Sequence, residues 1–157
     1  IAVSIAIIAF VVFFVFAPKA SELAYAPVDV GGGSITVENQ KQFEFVILDA
    51  EIAKAGWITV HESLSDAPAK IIGISEYLEE GEYKDLKIPV GPDMLPGYKY
   101  ITLLHVDNGD KEFVADDDYP VKVDDVVVRP DFVAVGEGGE DMLIDLPGTD
   151  ITLTGEG

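Results

Sequence analysis

The charged residues of this chain are segregated. Residues 1–17 (IAVSIAIIAFVVFFVFA) carry no charge and a single hydroxyl, Ser4, while the 10 Lys plus Arg and 29 Asp plus Glu all lie beyond Pro18. Such a chain must satisfy two solvents, because a stretch apolar on every side is stable only where water is excluded, and one this rich in carboxylates only where water is present. As a helix, residues 1–17 extend about 25 Å, at the short end of what a bilayer requires. Continuation through Lys19 to Ala26, with Pro18 carried as a kink, lengthens the helix. Pro27 and Gly31-Gly32-Gly33 end any helical geometry. The expected organisation is a hydrophobic helix over 1–26, a linker over 27–33, a β-rich head over 34–136 and a C-terminal acidic segment over 137–157.

The leader admits two other readings. A secretory signal peptide would fit Ala24-Tyr25-Ala26 as a small-x-small cleavage site. The chain as given opens on Ile with no basic n-region, so the expectation is cleavage ahead of the apolar stretch and its retention. A helix buried within one domain would need a surface able to cover Phe10, Phe13, Phe14 and Phe16 all round, which a head of this size rarely offers. Burial in a membrane or among copies of the same helix follows, with Ile1, Ile5, Ile8, Val12, Phe13 and Phe16 as assembly residues.

Net charge is −19. A phosphate backbone would be repelled, which excludes nucleic acid as a partner. Hydrophobic residues make up 48% of the chain, enough to fold despite that charge. Cysteine is absent, removing disulfides, thiol nucleophiles and Cys-ligated metals together.

From Ser34 the pattern becomes short β-branched and aromatic runs broken by turn residues. Strands are expected at Ile35–Val37, Phe43–Leu48, Trp57–His61, Lys70–Ile74, Tyr83–Val90, Tyr98–Val106, Glu112–Ala115, Tyr119–Val123 and Val126–Val135. Breakers such as Ala55-Gly56, Asp66-Ala67-Pro68, Glu80-Gly81, Pro96-Gly97 and Arg129-Pro130 separate them. Asn108-Gly109 tolerates φ > 0 at both positions and predicts a hairpin pairing Tyr98–Val106 with Lys111–Ala115. Ser75–Glu79 has helical spacing over a single turn. No crossover helices are present for a parallel sheet. The fold class is mainly β, an N-terminal hydrophobic α-helix followed by an antiparallel Ig-like β-sandwich. Trp57, the sole tryptophan, is expected to pack in the core.

Two resemblances accompany these patterns. Gly56–Glu62, Ile72–Leu78 with Gly81, Leu103–Asp107 with Gly109, and Asp118–Val121 with Val127–Val133 together resemble an uncharacterised β-sandwich domain of archaeal and bacterial cell-surface proteins, over roughly residues 34–135. That resemblance implies fold and an extracellular location, with no catalytic residues. The apolar leader resembles the start of a processed type IV pilin, whose mature chain begins with a hydrophobic helix and continues into a β-rich head. Ile5 stands where bacterial pilins usually carry glutamate, a departure common among archaeal pilins, and the uninterrupted apolar stretch is shorter than is usual for those.

Candidate chemistry is sparse. His61 and His105 end predicted strands and are followed by Glu62 and Asp107. If those strands are neighbours, two imidazoles and a carboxylate could ligate a transition metal; otherwise each histidine bonds locally. Asp107, Asp110, Glu112, Asp116, Asp117 and Asp118 form an acidic run that could supply oxygen ligands to Ca²⁺ or simply face water. Ser63 and Ser65 lie near His61 without a nucleophile elbow, and neither Gly31–Gly33 nor Gly136–Gly139 has the context of a phosphate loop. Catalysis is therefore not expected, and no Asn-x-Ser/Thr sequon exists. Met142–Leu146 and Ile151–Thr154 alternate around Pro147-Gly148, as a further hairpin of the sandwich or a strand added to a neighbouring subunit. The functional expectation is a structural subunit of an extracellular filament, membrane-inserted before assembly and partnered by copies of itself. The alternatives are a membrane-anchored accessory subunit and a metal-binding surface domain.

Overall fold

The structure, a computed structural model, describes residues 26–41 and 44–136. Most of it is strand: β1 (Val28–Asp29), β2 (Ser34–Thr36), β3 (Gln40–Lys41), β4 (Phe45–Ile52), β5 (Gly56–Leu64), β6 (Ala67–Ile74), β7 (Gly81–Pro89), β8 (Lys99–Val106), β9 (Val121–Val123), β10 (Val126–Val127) and β11 (Asp131–Val135), with a single 3₁₀ turn at Gly91–Asp93. The strands form a five-stranded sheet in the order β3-β11-β8-β5-β6 and two three-stranded sheets, β2-β4-β7 and β1-β9-β10. The expected helix over 1–26 and the C-terminal hairpin fall outside the described residues. Among the described residues no helix is long and apolar enough to cross a membrane.

Side-chain alternation explains which faces meet. In β4, Val46, Leu48, Ala50 and Ile52 are buried while the intervening residues are partly or fully exposed, the period-two signature of a strand with one dry face. These residues, with Ile35 of β2 and Ile88 of β7, meet Ile58 and Val60 of β5, Tyr100, Leu104 and Val106 of β8, and Phe132 and Ala134 of β11 in one core. β5 and β8 depart from simple alternation: residues 56–61 and 100–106 are buried at every position. Their second face carries Trp57, Thr59, His61, Ile101, Leu103 and His105, all buried. Seven consecutive antiparallel partners, from Gly56↔Val106 to Glu62↔Tyr100, hold the two strands together.

Tight turns fall where consecutive residues accept positive φ. Ser65 and Asp66 (φ 51° and 61°) join β5 to β6, and Asp124 and Asp125 (φ 50° and 64°) join β9 to β10; each is a two-residue loop whose twist suits the strands it connects. The Asn108-Gly109 hairpin is not formed. β8 has β5 along one side, and on the other Lys99–Ile101 pair with β11 while the Thr102, Leu104 and Val106 amides donate to the Pro130, Val128 and Tyr119 carbonyls. No edge is left for Lys111–Ala115, and residues 107–120 instead fold as a loop that returns to β8 through the His105–Pro120 bridge. Ser75–Glu79 is not a helical turn either: Leu78 and Gly56 exchange backbone hydrogen bonds of 2.9 Å each, and the Ser75 hydroxyl accepts the Ile58 N–H at 3.0 Å. The sheets are not purely antiparallel, since β1 pairs with β9 and β3 with β11 in parallel. β1 lies inside the stretch whose composition suggests a linker.

Gly56 is required by close approach. A Cβ there would collide with the carbonyl of His105 on the paired strand. Gly56→Ala is expected to lower unfolding free energy by about 1–3 kcal/mol through overpacking, read from urea denaturation; an unchanged midpoint would show that β5 and β8 can separate at that end.

Candidate functional site

The chemistry-bearing residues converge on the second face of the β5–β8 pair and the loop that follows β8. His105 is 3% exposed. Its Nδ1 lies 2.8 Å from the Asp118 carbonyl oxygen, which only accepts, so Nδ1 carries the proton and Nε2 keeps a lone pair. That Nε2 is the buried side-chain polar atom left without a hydrogen-bond partner among the described residues. The Phe113 ring packs edge-on to the imidazole at 5.3 Å between centroids, and Trp57 meets Phe113 at 5.6 Å and Tyr77 at 5.2 Å, both edge-on. Trp57 is buried as the sequence suggests, but on this face of β5 rather than in the core between the sheets.

Two carboxylates give the loop its shape. Asp118, 0% exposed, accepts the Asn108 N–H at 3.1 Å on Oδ1 and the Val114 N–H at 2.7 Å on Oδ2. A buried carboxylate is tolerated when such donors replace water. Asp107 accepts the Gly109 and Lys111 amides on Oδ1, at 2.9 and 3.1 Å, and the Tyr77 hydroxyl on Oδ2 at 3.1 Å. Burial raises the Asp107 pKa, but these donors outweigh it and hold the group below the usual carboxylate range. Lys111 lies over the Tyr77 ring, 4.8 Å from its centroid, and pairs with Glu79 at 3.3 Å.

His61 stands apart from this cluster. Trp57 is the register partner of His105 and Ile101 that of His61, so the histidines are separated by four residues along the sheet, about 13 Å at roughly 3.3 Å per residue. His61 Nδ1 donates to the Ala69 carbonyl at 2.9 Å, and its Nε2 accepts the Thr59 hydroxyl at 2.8 Å. Each imidazole thus has its own surroundings. Asp110 is exposed and accepts the Glu112 N–H at 2.8 Å, and Asp116 is exposed as well. Among the described residues no group of three or more His, Asp or Glu converges as a metal-binding set. The assembly residues Ile1, Ile5, Ile8, Val12, Phe13 and Phe16 lie outside the described residues.

Two open clefts among the described residues, of about 310 and 300 Å³, have no histidine in their lining. The second sits over Ile101, where Lys99 pairs with Asp66 and Asp131 at 2.9 and 3.1 Å and the Arg129 guanidinium donates to the Asp66 carbonyl at 3.1 Å. The roles of Phe113 and Asp118 escape pattern reading. The signal available is an apolar pair, Phe113-Val114, set within a run of acids, which points to a loop tucked back onto the fold.

Residues 33–135 match the family described as Domain of unknown function (DUF7282). The chain belongs to this family. The DUF7282 match takes in the five-stranded sheet, the β2-β4-β7 sheet and the 107–120 loop. The chain is also similar to Cell surface glycoprotein 2 of Haloarcula hispanica, 33% identical over 86 residues, which is 54% of this chain and 9% of that relative's length. No solved structure matches it.

Burial brings the His105 pKa from 6.5 down to about 4, against the opposing bond to the Asp118 carbonyl. Between those values the unfolded chain binds a proton at position 105 that the DUF7282 domain does not. The stabilisation from neutral His105 is therefore complete above pH 6.5 and is lost as pH falls toward 4. At fixed high salt, His105→Gln is expected to flatten this part of the stability curve by up to about 1.4 kcal/mol per pH unit. Equal slopes for both proteins between pH 6.5 and 4 would contradict the assignment. Asp118→Ala is expected to cost about 1–3 kcal/mol for each amide left without an acceptor, with red-shifted Trp57 emission as Phe113 loosens; a native emission maximum would separate the loop from Asp118.

Proposed function

We propose that this chain is a structural subunit of the cell surface, without catalytic activity, whose DUF7282 head is an Ig-like sandwich facing water. The observation that carries the reading is the similarity of the folded head to part of a protein named as a cell surface glycoprotein. The site geometry supports it: His61, His105 through its Nδ1, Asp107 and Asp118 make hydrogen bonds that build the fold. The charge supports an aqueous, outward-facing head, since the chain's 29 acidic residues against 10 basic ones, most of both in the head, favour hydration and oppose close association at low salt.

In the proposed assembly, residues 1–26 are helical, sit in the membrane before assembly, and then pack against copies of themselves in the core of a pilin-like filament. Apolar burial at about 25 cal/mol per Å² holds that core against dissociation into water. The second reading is a membrane-anchored accessory subunit that presents the head without self-assembly. The match to a short segment of a much longer relative favours it, because it treats the head as a module carried on different surface proteins.

Electron microscopy of cell-surface preparations, with the head located by antibody, separates the two. Helical arrays of identical copies are expected for the filament, isolated heads in the membrane fraction for the anchored subunit, and loss from the surface on deleting residues 1–26 for both. Recovery of the native full chain as a free monomer in the soluble fraction would overturn both. Light scattering of the purified protein is expected to rise with NaCl or CaCl₂ as head-to-head repulsion is screened; a flat response would remove electrostatic repulsion as the limit on assembly.

A further inference from the structure

Asn108-Gly109 is left without its expected hairpin, and the surroundings of the pair suggest another property. In an Asn-Gly pair the side-chain amide is open to attack by the following backbone nitrogen, because glycine has no Cβ to obstruct it. Asn108 and Gly109 are exposed, and open space surrounds Gly109. We propose that Asn108 is a site of spontaneous deamidation whose rate is governed by the carboxylates of Asp107 and Asp118.

The step balances with water alone. The Gly109 nitrogen gives up its proton to solvent base and attacks Asn108 Cγ. A bond forms between Gly109 N and Cγ, the Cγ–Nδ2 bond breaks, and the nitrogen leaves as ammonia with a proton from water. Water then opens the cyclic imide at either carbonyl, giving aspartate or an isoaspartate whose main chain runs through Cβ and Cγ. One water enters, one ammonia departs, and nothing is oxidised or reduced.

The folded loop opposes each stage. The Gly109 N–H that must be lost is donated to Asp107 Oδ1 at 2.9 Å, and a negative charge beside it disfavours the anion. The Asn108 side-chain oxygen accepts the Asp110 N–H at 3.1 Å, and the Asn108 N–H is held by Asp118 Oδ1 at 3.1 Å. Ring closure requires Cγ to swing onto the Gly109 nitrogen, so those bonds must open first. Once formed, isoaspartate places an extra carbon in the main chain between anchored residues and releases Phe113 from Trp57. The loop then has a one-way transition set by its own chemistry.

The test incubates the full chain at mildly alkaline pH and constant high salt, folded or in guanidinium, and follows Asn108 and Asn39 by peptide mass spectrometry. Asn39 precedes Gln40 and serves as the internal control. Conversion at Asn108 is expected to be slower in the folded chain by at least roughly ten-fold. Asp107→Ala, with folding checked by circular dichroism, is expected to restore much of that difference. Tyr77→Phe, which removes the hydroxyl bond to Asp107, is expected to restore a smaller part. Equal rates folded and denatured, or no excess over Asn39 in guanidinium, would overturn the proposal. So would a folded Asp107→Ala protein reacting at the wild-type rate; if that variant fails to fold, a wild-type rate in Tyr77→Phe is decisive in the same sense.

Discussion

The pairing of β5 with β8, buried on both faces, is the constraint on which the rest of the structure depends. A strand pair with one wet face can leave its polar side chains to water; this pair cannot, so its polar groups turn to partners within the fold, with His105 Nε2 the buried exception among the described residues. Thr59 and His61 satisfy one another, Thr102 donates its hydroxyl to the Pro130 carbonyl at 3.0 Å, and His105 reaches the loop through Asp118. One face supplies the core against β2, β4, β7 and β9. The other needs a cover, and Phe113, Tyr77 and the ion pairs of Lys99 provide it. The loop after β8 is thus an extension of the core, held by carboxylates that a sequence-level reading assigns to solvent or to calcium.

Electrostatics acts at two levels. The basic residues form short contacts with acids, Lys84 with Asp49, Lys99 with Asp66 and Asp131, and Lys122 with Asp125, but such exposed pairs each contribute little. The chain's ten cations cannot neutralise its twenty-nine carboxylates, and the excess, most of it on the head, acts as a field that favours hydration and weakens as salt is added. Buried Asp118 behaves differently, because backbone amides replace its water and screening by salt hardly reaches it. Salt is therefore a lever on association between heads more than on the geometry of the 107–120 loop.

What was legible in the sequence follows from the range over which each signal acts. Alternation in β4 and the β-branched and aromatic run at Trp57–His61 are local, and both segments are strands, though β4 runs on to Ile52 and β5 to Leu64, past the expected ends at Leu48 and His61. The run Val126–Val135 reads as one strand but divides into β10, which pairs with β9, and β11, which pairs with β8, with Pro130, which has no N–H to give to a ladder, between them. Asn108-Gly109 has strong local turn chemistry, yet a hairpin also needs a free edge on β8, and that edge is taken by Tyr119–Pro120 and by Val128 and Pro130, residues further along the chain. The helical spacing of Ser75–Glu79 loses to the long-range bridge between Leu78 and Gly56 for the same reason. The two histidines do share a face of one sheet, as a metal site would require, but register places them four residues apart, and register cannot be read from composition.

Native-state hydrogen exchange on the Asn108 and Val114 amides tests most directly whether Asp118 builds the loop into the fold. Both amides donate to a carboxylate with no solvent exposure, so their protection should approach that of the β5 and β8 amides. Exchange at the rate of unprotected loop amides would contradict it, and would return His105, Asp107 and Asp118 to the solvent-facing chemistry that their spacing first suggests.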